Sequence, residues 1–517
     1  MTFDEQATTM KRHEVAAMLA SHQHLTESHQ ALAARVEELT RHLEWFKQQL
    51  FGSKSERRLV DPDARQLALG EWRQPEAPGQ EITVAEHRRR SRKRPDVDAE
   101  EGGLRFDDTV PVEEIRIDPP DLDSDHEVIG EKETYRLAQK PASYVVLKYV
   151  RPVVKRKEDG KIVCAPAPAA VLGKSLADVS LLASMAIDKF RFHLPLYRQH
   201  QRMAAAGIRL ARSTLTGLMH RSGDLLQPIY GAQLDSVVSG GTVTMDETPI
   251  KAGRKHPGKM KKGYFWPIYG DQDEVVFPFS PSRSGDVVRT LLDGYNGVLV
   301  TDGYKAYESF ASQINEIVHA QCWSHTRREF LKAENIEPEL TEKALEFIRE
   351  LYEAEGELKR RPINGTKRLE FRARYCKPVV DKFFGWLETT LSDRVLLPSN
   401  PFTEAARYAQ AREGPLQVFL EYPDVPIDTN HLERELRVIA LGRKNWMFCW
   451  TEIGAEYVGV FQSLIVTCRL QGIDPYTYLV DVLQRVEDHP ASDVAALTPR
   501  LWKERFADNP RRSIIDR

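Results

Sequence analysis

The chain has 517 residues, a length that allows about three domains, each with its own hydrophobic core. Lys and Arg number 73 and Asp and Glu 76, so the formal charge of −3 indicates neither a nucleic-acid nor a membrane partner, and the distribution of charge matters instead. Five cysteines lie far apart without a CxxC pair, which argues against a disulfide scaffold and against a four-cysteine zinc site.

The N-terminal region predicts a helix that pairs with a partner helix. It contains no signal-peptide core, and no run approaches the ~20 apolar residues of a membrane span, so we expect a cytoplasmic protein with no membrane partner. Between 15 and 50, mostly apolar positions follow alternating three- and four-residue steps. This spacing favours a coiled coil over 1–52 and a homodimer or higher oligomer. The alternative is one amphipathic helix packed on the chain's own core.

Residues 53–106 are polar, charged and interrupted by prolines, which is typical of a flexible linker. The linker includes a basic run that is either solvated or a phosphate-binding arm whose contribution falls with salt. The basic residues of this run are Arg88, Arg89, Arg90, Arg92, Lys93 and Arg94.

Two modules follow the linker. The strand patterns EEIRID and YVVLKYVRPVVKR predict a small β-rich module over 107–170. Over 171–238 we expect a helical domain in which a helix, a turn at Gly207 and a second helix capped by Ser213 have helix-turn-helix spacing. Such a pair is either plain architecture or a DNA reader, and Arg209 and Arg212 favour contact with phosphate.

Two aspartates end apolar strands in the next region. From 241 onward, the strand TVTMDE, a basic loop, the strands GYFWPIYG and VVFPF, a helix and the strand GVLVTDG outline a ribonuclease-H-like α/β layer, whose first part we place at 239–325. In that arrangement Asp246 and Asp302 lie on adjacent central strands, within reach of one ion. Mg²⁺ prefers hard oxygen ligands and is held by a few carboxylates, water and substrate phosphate oxygens.

The helix TNHLERELR offers a third acid. Glu433 shares one helical face with Arg434 and Arg437, whereas Glu435 points elsewhere, so Glu433 is our choice. The two arginines either balance the charge of the carboxylates or hold DNA phosphate. We assign this helix to the second part of the core, 426–470, followed by a helical tail over 471–517. The helical patterns over 326–425 predict an inserted domain, which either lines the DNA, mediates dimerisation or acts as a passive spacer.

Further basic residues lie beside tryptophans in two segments, KAGRKHPGKMKKGYFW and ALGRKNWMF. This combination suits phosphate neutralisation with base stacking, although Trp266 and Trp446 are equally compatible with a core, and we prefer the core for a lone tryptophan beside a strand. The basic residues are Lys251, Arg254, Lys255, Lys261, Lys262, Arg443 and Lys444.

The segments TMDET, LVTDGYKAY, QCWSHTRREF and NHLERELRVIALGRKNW, in this order, resemble the signature segments of the insertion-sequence-66 family of DDE transposases. The resemblance extends from the heptad region to GIDPYTYLVDVL. It implies that Asp246, Asp302 and Glu433 are the metal-binding triad and that the substrate is double-stranded DNA, namely the inverted-repeat ends of a mobile element and a target. It also suggests accessory proteins encoded by the same element.

The implied chemistry is metal-dependent attack on a DNA phosphodiester, with two Mg²⁺ or Mn²⁺ ions per active site. In the CWSH segment, Cys322 and His325 resemble the CxxH that follows the second aspartate in several DDE transposase groups. That likeness places His325 near the scissile phosphate, and the alternative is a structural histidine. Family members usually carry a cysteine-pair zinc finger after the linker, but 107–170 contains only Cys164, so we expect no zinc there.

A transposase that cuts and joins element ends is therefore the leading hypothesis. A non-catalytic helix-turn-helix DNA-binding regulator and a structure-specific ribonuclease-H-like nuclease are the alternatives.

Overall fold

The computed structural model describes residues 104–516, except 119–125, 141–142, 158–161, 174, 257–258, 362, 394–395 and 447–448. The predicted coiled coil at 1–52 and the basic run at 88–94 lie outside the described residues. Two compact units can be distinguished. One includes Phe330–Ala344 and Leu396–Ala405, and the other comprises Asp98–Glu329, Leu345–Val395 and Ala406–Arg517. All the β-strands described below lie in the second unit.

The β module is built on one long antiparallel hairpin. Its strands are β1 (Arg105–Phe106), β2 (Val112–Arg116), β3 (His126–Lys140), β4 (Ser143–Arg156) and β5 (Ile162–Cys164). The β3 and β4 strands pair antiparallel, while β2 runs parallel to β4 and β5 pairs with its far end. One face of the hairpin buries Ala138, Val145, Leu147 and Tyr149 in a small core of their own.

The predicted helix, turn and helix are present. Helix α1 (Val179–Phe190) is followed by α2 (Leu196–Ala205), β6 (Ile208–Arg209) and α3 (Arg212–Val238). Gly207 has φ +82°, and an added Cβ would lie 2.4 Å from Asp107 Oδ1, so the turn requires glycine. The predicted cap at Ser213 is wrong. Pairing of β6 with β1 keeps the chain extended through Arg209, and α3 then begins at Arg212.

The five-stranded central sheet has the order β11-β10-β7-β13-β14. Strand β13 runs parallel to both β7 and β14, and β10 runs antiparallel to both of its neighbours. In chain order the strands and helices of this region are β7 (Thr242–Met245), β8 (Thr248–His256), β9 (Lys259–Phe265), β10 (Ile268–Gly270), β11 (Val275–Val276), β12 (Phe279–Ser280), α4 (Gly285–Leu291), β13 (Val298–Thr301), α5 (Lys305–Ala311) and β14 (Val318–Gln321).

The basic segment between the first two predicted strands is not a loop. Its residues form most of β8 and β9, an antiparallel hairpin that joins β12 in a separate three-stranded sheet. The predicted strand GYFWPIYG is divided at Trp266 and Pro267 into β9 and β10, because proline cannot continue a ladder of hydrogen bonds.

The remaining elements are helical, as predicted for 326–425. They are α6 (Trp323–Leu331), α7 (Pro338–Arg360), α8 (Thr366–Tyr375), α9 (Lys377–Asp393), α10 (Pro401–Gln410), α11 (Glu413–Gln417), α12 (Asn430–Trp446), α13 (Glu452–Leu470), α14 (Pro475–Arg485) and α15 (Pro499–Arg505), with 3-10 turns at Val418–Leu420, Ala491–Leu497 and Ile514–Asp516. The helical excursion between β14 and α12 starts and ends at one place, since the Trp323 N–H donates to the Ile427 carbonyl at 3.1 Å.

Helix α13 fastens the central sheet to the helical core. Its residues from 458 to 468 are buried. Its side chains form hydrogen bonds with the backbone of β11 and of the residue that follows β11. Ser463 and Thr467 accept hydrogen bonds from the N–H groups of Phe277 and Val275 at 2.9 and 3.1 Å. Among the residues that the structure describes, no helix is long and apolar enough to cross a membrane.

Candidate active site

Asp246 and Asp302 follow neighbouring parallel strands at the same level. In the register of β7 with β13, Thr244 is paired with Val300. Each aspartate lies two residues beyond its member of that pair, so both carboxylates emerge at the same edge of the sheet. Met245 and Thr301, which precede the aspartates, are fully buried and fix the strand ends. The sheet thus places side by side the two acids that the sequence pattern singled out.

The two carboxylates repel each other. Burial, followed by the negative charge of Asp302, raises the pKa of Asp246 to about 7, and the charges of Glu247 and Glu433 act in the same direction. The Glu247 N–H donates to Asp246 Oδ1 at 2.7 Å, and the Tyr304 N–H donates to Asp302 Oδ1 at 2.9 Å. A bound cation would relieve this repulsion.

Glu433 lies in the first turn of α12 and faces α6. Its carboxylate is ion-paired with Arg328, and its Oε1 is 3.6 Å from His325 Nε2. Burial and the Arg328 charge lower the pKa of His325, while the negative charges of Asp302 and Glu433 oppose that shift. The predicted catalytic residues therefore form one electrostatically coupled neighbourhood.

The fit to a divalent cation is incomplete in this conformation. Carboxylate oxygens are the hard ligands that Mg²⁺ and Mn²⁺ prefer. Within the described ranges, however, no three His, Cys, Asp or Glu side chains are grouped closely enough to hold a metal ion. The Glu433 carboxylate is instead paired with the Arg328 guanidinium. The three carboxylates match the ion in chemical type, although they are not grouped around one point in this conformation.

A fourth acid, Glu247, was missed in the sequence analysis. Its side chain is 4% exposed and accepts hydrogen bonds from Tyr307 Oη at 2.7 Å and Arg283 Nε at 2.9 Å. Burial raises its pKa, whereas these two donors oppose the shift. The guanidinium of Arg283 lies 4.2 Å from the centre of the Tyr304 ring. The signal that could have found Glu247 is its position directly after Asp246 in TMDET.

The two residues of the CxxH segment have different surroundings. Cys322 is buried, and its Sγ accepts hydrogen bonds from the N–H and hydroxyl of Thr429 at 3.3 and 3.4 Å. It therefore connects the end of β14 to the start of α12, which carries Glu433. His325, one helical turn further, faces Glu433. Of the two residues, Cys322 therefore joins two elements of the fold, and His325 lies beside the acids.

Most predicted DNA contacts lie on the surface. Arg209 and Arg212 are exposed around the turn before α3, and further exposed cations lie on the β8–β9 hairpin and on α12. These cations are Lys251, Arg254, Lys255, Lys261, Lys262, Arg434, Arg437 and Lys444. Arg443 is half-buried and donates to the Pro249 carbonyl, so it fastens α12 to β8.

The two tryptophans beside the basic segments are placed differently. Trp266 is fully buried and packs edge-on against Tyr307, with ring centres 6.1 Å apart, which confirms the expected core position. Trp446 is the last residue of α12 and is half-buried. Its ring packs against Gly442, where an added Cβ would lie 2.4 Å from the indole.

Comparison with known proteins identifies the class as transposase. Residues 174–457 match the family described as "Transposase IS66 family", and residues 463–500 match "IS66 C-terminal element". Residues 38–115, most of which lie outside the described ranges, match "Transposase C of IS166 homeodomain", N-terminal to the helix-turn-helix predicted at 171–238. The chain belongs to the IS66 family of transposases.

Similar proteins occur in Sinorhizobium fredii (strain NBRC 101917 / NGR234). "Uncharacterized protein y4hP" is 30% identical over 432 residues, covering 77% of both chains. "Uncharacterized protein y4qI" is 30% identical, covering 73% of this chain and 72% of its own. "Uncharacterized protein y4jD" is 32% identical, covering 72% and 76%. These names describe no activity, so residue roles have to be argued from this chain.

Proposed function

We propose that this protein is a DDE transposase that binds the terminal inverted repeats of its element and catalyses metal-dependent DNA cleavage and strand transfer. Membership in a transposase family supports DNA as the substrate. The observation that carries the assignment of the active site is the pairing of β7 with β13, which puts Asp246 and Asp302 at one sheet edge with Glu433 close enough to act on the pKa of Asp246.

A ribonuclease-H-like core is the fold we propose for this region. The supporting features are the sheet order β11-β10-β7-β13-β14, the antiparallel β10 beside three parallel strands, and the acids at the ends of the two adjacent strands β7 and β13. We further propose that the excursion over 326–425 is an inserted domain, that 107–170 holds no zinc, and that the coiled coil at 1–52 makes the protein a dimer or higher oligomer.

Asp246, Asp302 and Glu433 would hold the divalent ions. When two Mg²⁺ or Mn²⁺ ions are bound, they supply an activated oxygen nucleophile and stabilise the leaving 3′ oxygen. The chain's own contribution is to place the two aspartates at the same sheet edge and to bury them partly. The backbone N–H groups of Glu247 and Tyr304 donate to their carboxylates, and Tyr307 donates to the neighbouring Glu247. His325 lies beside Glu433 and is suited to contact a phosphate or a flanking nucleotide.

Arg328 links DNA binding to the third acid. A guanidinium forms bidentate hydrogen bonds with a phosphate group as well as with a carboxylate. Arg328 is 47% exposed, so an incoming phosphate can reach it. When a DNA phosphate binds Arg328, Glu433 loses its ion-pair partner and is free to turn toward the two aspartates. The complete set of oxygen ligands then forms only when substrate is bound.

The test is cleavage and joining of linear DNA that carries the element's own ends, in the presence of Mg²⁺ or Mn²⁺. Asp246→Asn, Asp302→Asn and Glu433→Gln should each abolish both reactions while DNA binding persists. Two controls should keep activity: Asp293→Asn, an exposed acid remote from the strand ends, and Glu435→Gln, whose carboxylate is paired with Arg469.

The outcome also separates the alternatives. Retained cleavage in Asp246→Asn would refute the proposed active site. DNA binding without cleavage or joining by a correctly folded wild-type protein would favour the regulator. Cleavage of branched DNA without strand transfer of a pre-cut end would favour the structure-specific nuclease.

A further inference from the structure

A cavity of about 470 Å³ lies between α1, the beginning of α3 and the segment that joins α12 to α13. None of the three proposed catalytic acids lines it. Among the described residues, its walls contain no Asp or Glu but seven aromatic rings, those of Phe190, Tyr197, His220, Trp446, Trp450, Tyr457 and Phe461. A concave, largely apolar surface with a few polar groups is typical of a ligand site.

Two cations line this cavity, the half-buried Lys189 and the exposed Arg212. Lys189 lies beside its aromatic wall. Its ammonium lies 4.9 Å from the centre of the Phe190 ring. In the part of the chain that the structure describes, no carboxylate forms an ion pair with it, and burial lowers its pKa. A charged amine in such surroundings is unfavourable unless an anion joins it. The cavity therefore lacks the negative group that would complement it.

The rim of the cavity carries two arginine–aromatic pairs. The guanidinium of Arg212 lies 5.5 Å from the ring centre of Tyr197, and that of Arg254 lies 5.2 Å from the ring of Trp450. Tyr197 is 53% exposed and Trp450 62% exposed, so both rings can be reached from solvent. Arg212 belongs to the predicted DNA-reading helix and Arg254 to the basic hairpin, so both proposed DNA-contact elements border this one cavity.

Aromatic platforms interleaved with cations are the means by which proteins hold unpaired nucleotides, since every base has a flat face for stacking and every nucleotide a phosphate. A paired base cannot enter a concave site until it leaves the stack. We propose that this cavity receives one unpaired nucleotide of the bound DNA, with the base among the aromatic walls and the phosphate at Lys189. The inference rests on the proposed DNA substrate but not on catalysis.

The experiment uses the full chain in EDTA and a duplex that carries 2-aminopurine opposite an abasic position. Stacking of 2-aminopurine on aromatic rings quenches its fluorescence. Wild type and Asp246→Asn should both quench it, whereas a fully paired duplex with the same base should show no added quenching. Trp450→Ala and Lys189→Met should each weaken binding of the unpaired duplex at least tenfold and change binding of the paired duplex less than twofold.

Two controls keep the result interpretable. Phe192→Ala removes another exposed ring, 64% accessible, that does not line the cavity, and it should bind both duplexes as wild type does. Lys189→Met should melt no lower than wild type, because it removes an unpaired amine from apolar surroundings. Loss of binding in that variant therefore cannot come from unfolding.

Equal weakening for both duplexes, or no weakening for either, would overturn the proposal. The proposal would also be overturned if acrylamide did not quench the fluorescence of Trp450 in the DNA-free full-length chain. The cavity would then be covered by another segment or by a second copy. Loss of DNA cleavage in Asp246→Asn with unchanged quenching supports both proposals. Quenching without cleavage by wild type would support this site alone.

Discussion

Arg372 of α8 is completely buried, and replacing it with methionine should loosen the segment that leads to the Glu433 helix. Its guanidinium holds both carboxylate oxygens of Glu355, at 2.7 and 2.9 Å. It also donates to four backbone carbonyls at 2.6 to 3.2 Å, those of Phe419, Tyr422, Pro423 and Val425. One side chain thus connects α7 and α8 to the 3-10 helix and the turns before α12.

The expected destabilisation is large. Removing one member of a buried ion pair typically costs about 3–5 kcal/mol, because the remaining charge is left without compensation. Here four carbonyls also lose their donor, although water can reach some of them once the guanidinium is gone. Glu355→Gln should cost less, because the carbonyls keep their partner. The double variant Arg372→Met/Glu355→Leu removes both members of the buried pair and leaves only Arg368, a partly exposed arginine 3.8 Å from Glu355 in wild type, so its cost should be smaller than the sum of the single costs.

Hydrogen exchange read by mass spectrometry measures this locally, without requiring the whole chain to unfold in one step. Peptides covering 418–425 in Arg372→Met should exchange on the order of a hundredfold faster than in wild type, which corresponds to the lower end of the expected cost. Arg374→Met, an exposed arginine on the same helix, should leave these peptides unchanged. Less than a fivefold change in Arg372→Met would refute the assignment of this network as a stabilising element.

Three further outcomes are expected. Burial lowers the pKa of His319 to about 4, so below pH 6.5 this imidazole binds fewer protons in the folded protein than in the unfolded chain, and its contribution to stability should fall by about 2 kcal/mol between pH 8 and pH 5; urea titrations should show this as the difference between wild type and His319→Gln, because Asp246, whose pKa is raised to about 7, shifts the stability of both proteins in the opposite direction. Gly207→Ala should lower the melting temperature, with a cost of at least 1–2 kcal/mol from the positive φ and the approach to Asp107; an unchanged melting temperature would mean that the turn tolerates a side chain. Arg328→Met should reduce the slope of log affinity for DNA against log salt by about 1, as expected for one lost phosphate contact, and an unchanged slope would exclude Arg328 from the DNA interface.

The placement of the two aspartates could be predicted because it depends on local signals. Each follows a short β-branched run, and adjacent parallel strands bring such residues to one sheet edge whatever the rest of the chain does. The choice of Glu433 over Glu435 depended on helical periodicity alone. In the structure Glu435 is buried against Arg469 on the opposite side, in keeping with that periodicity.

What could not be predicted depends on contacts between distant segments. Arg328 is paired with Glu433, from which it is separated by 105 positions in the sequence, and neither local sequence indicates that pair. The β8–β9 hairpin was predicted as a loop because seven of its sixteen residues are Lys, Arg or His, so the apolar alternation that marks a strand is weak. Two of its buried residues, Ala252 and Gly253, contact Cys449, which lies almost two hundred positions away.

The place where the helical excursion departs from β14 and rejoins the chain is narrow. The Trp323 N–H donates to the Ile427 carbonyl, and the Thr429 N–H donates to the Cys322 sulfur. The first and the last residues of the excursion are therefore in direct contact. A chain arranged in this way can acquire, shorten or exchange the whole intervening span during evolution while the distance from the second aspartate to the glutamate stays fixed. The same junction offers protein engineers a natural point at which to graft a foreign module.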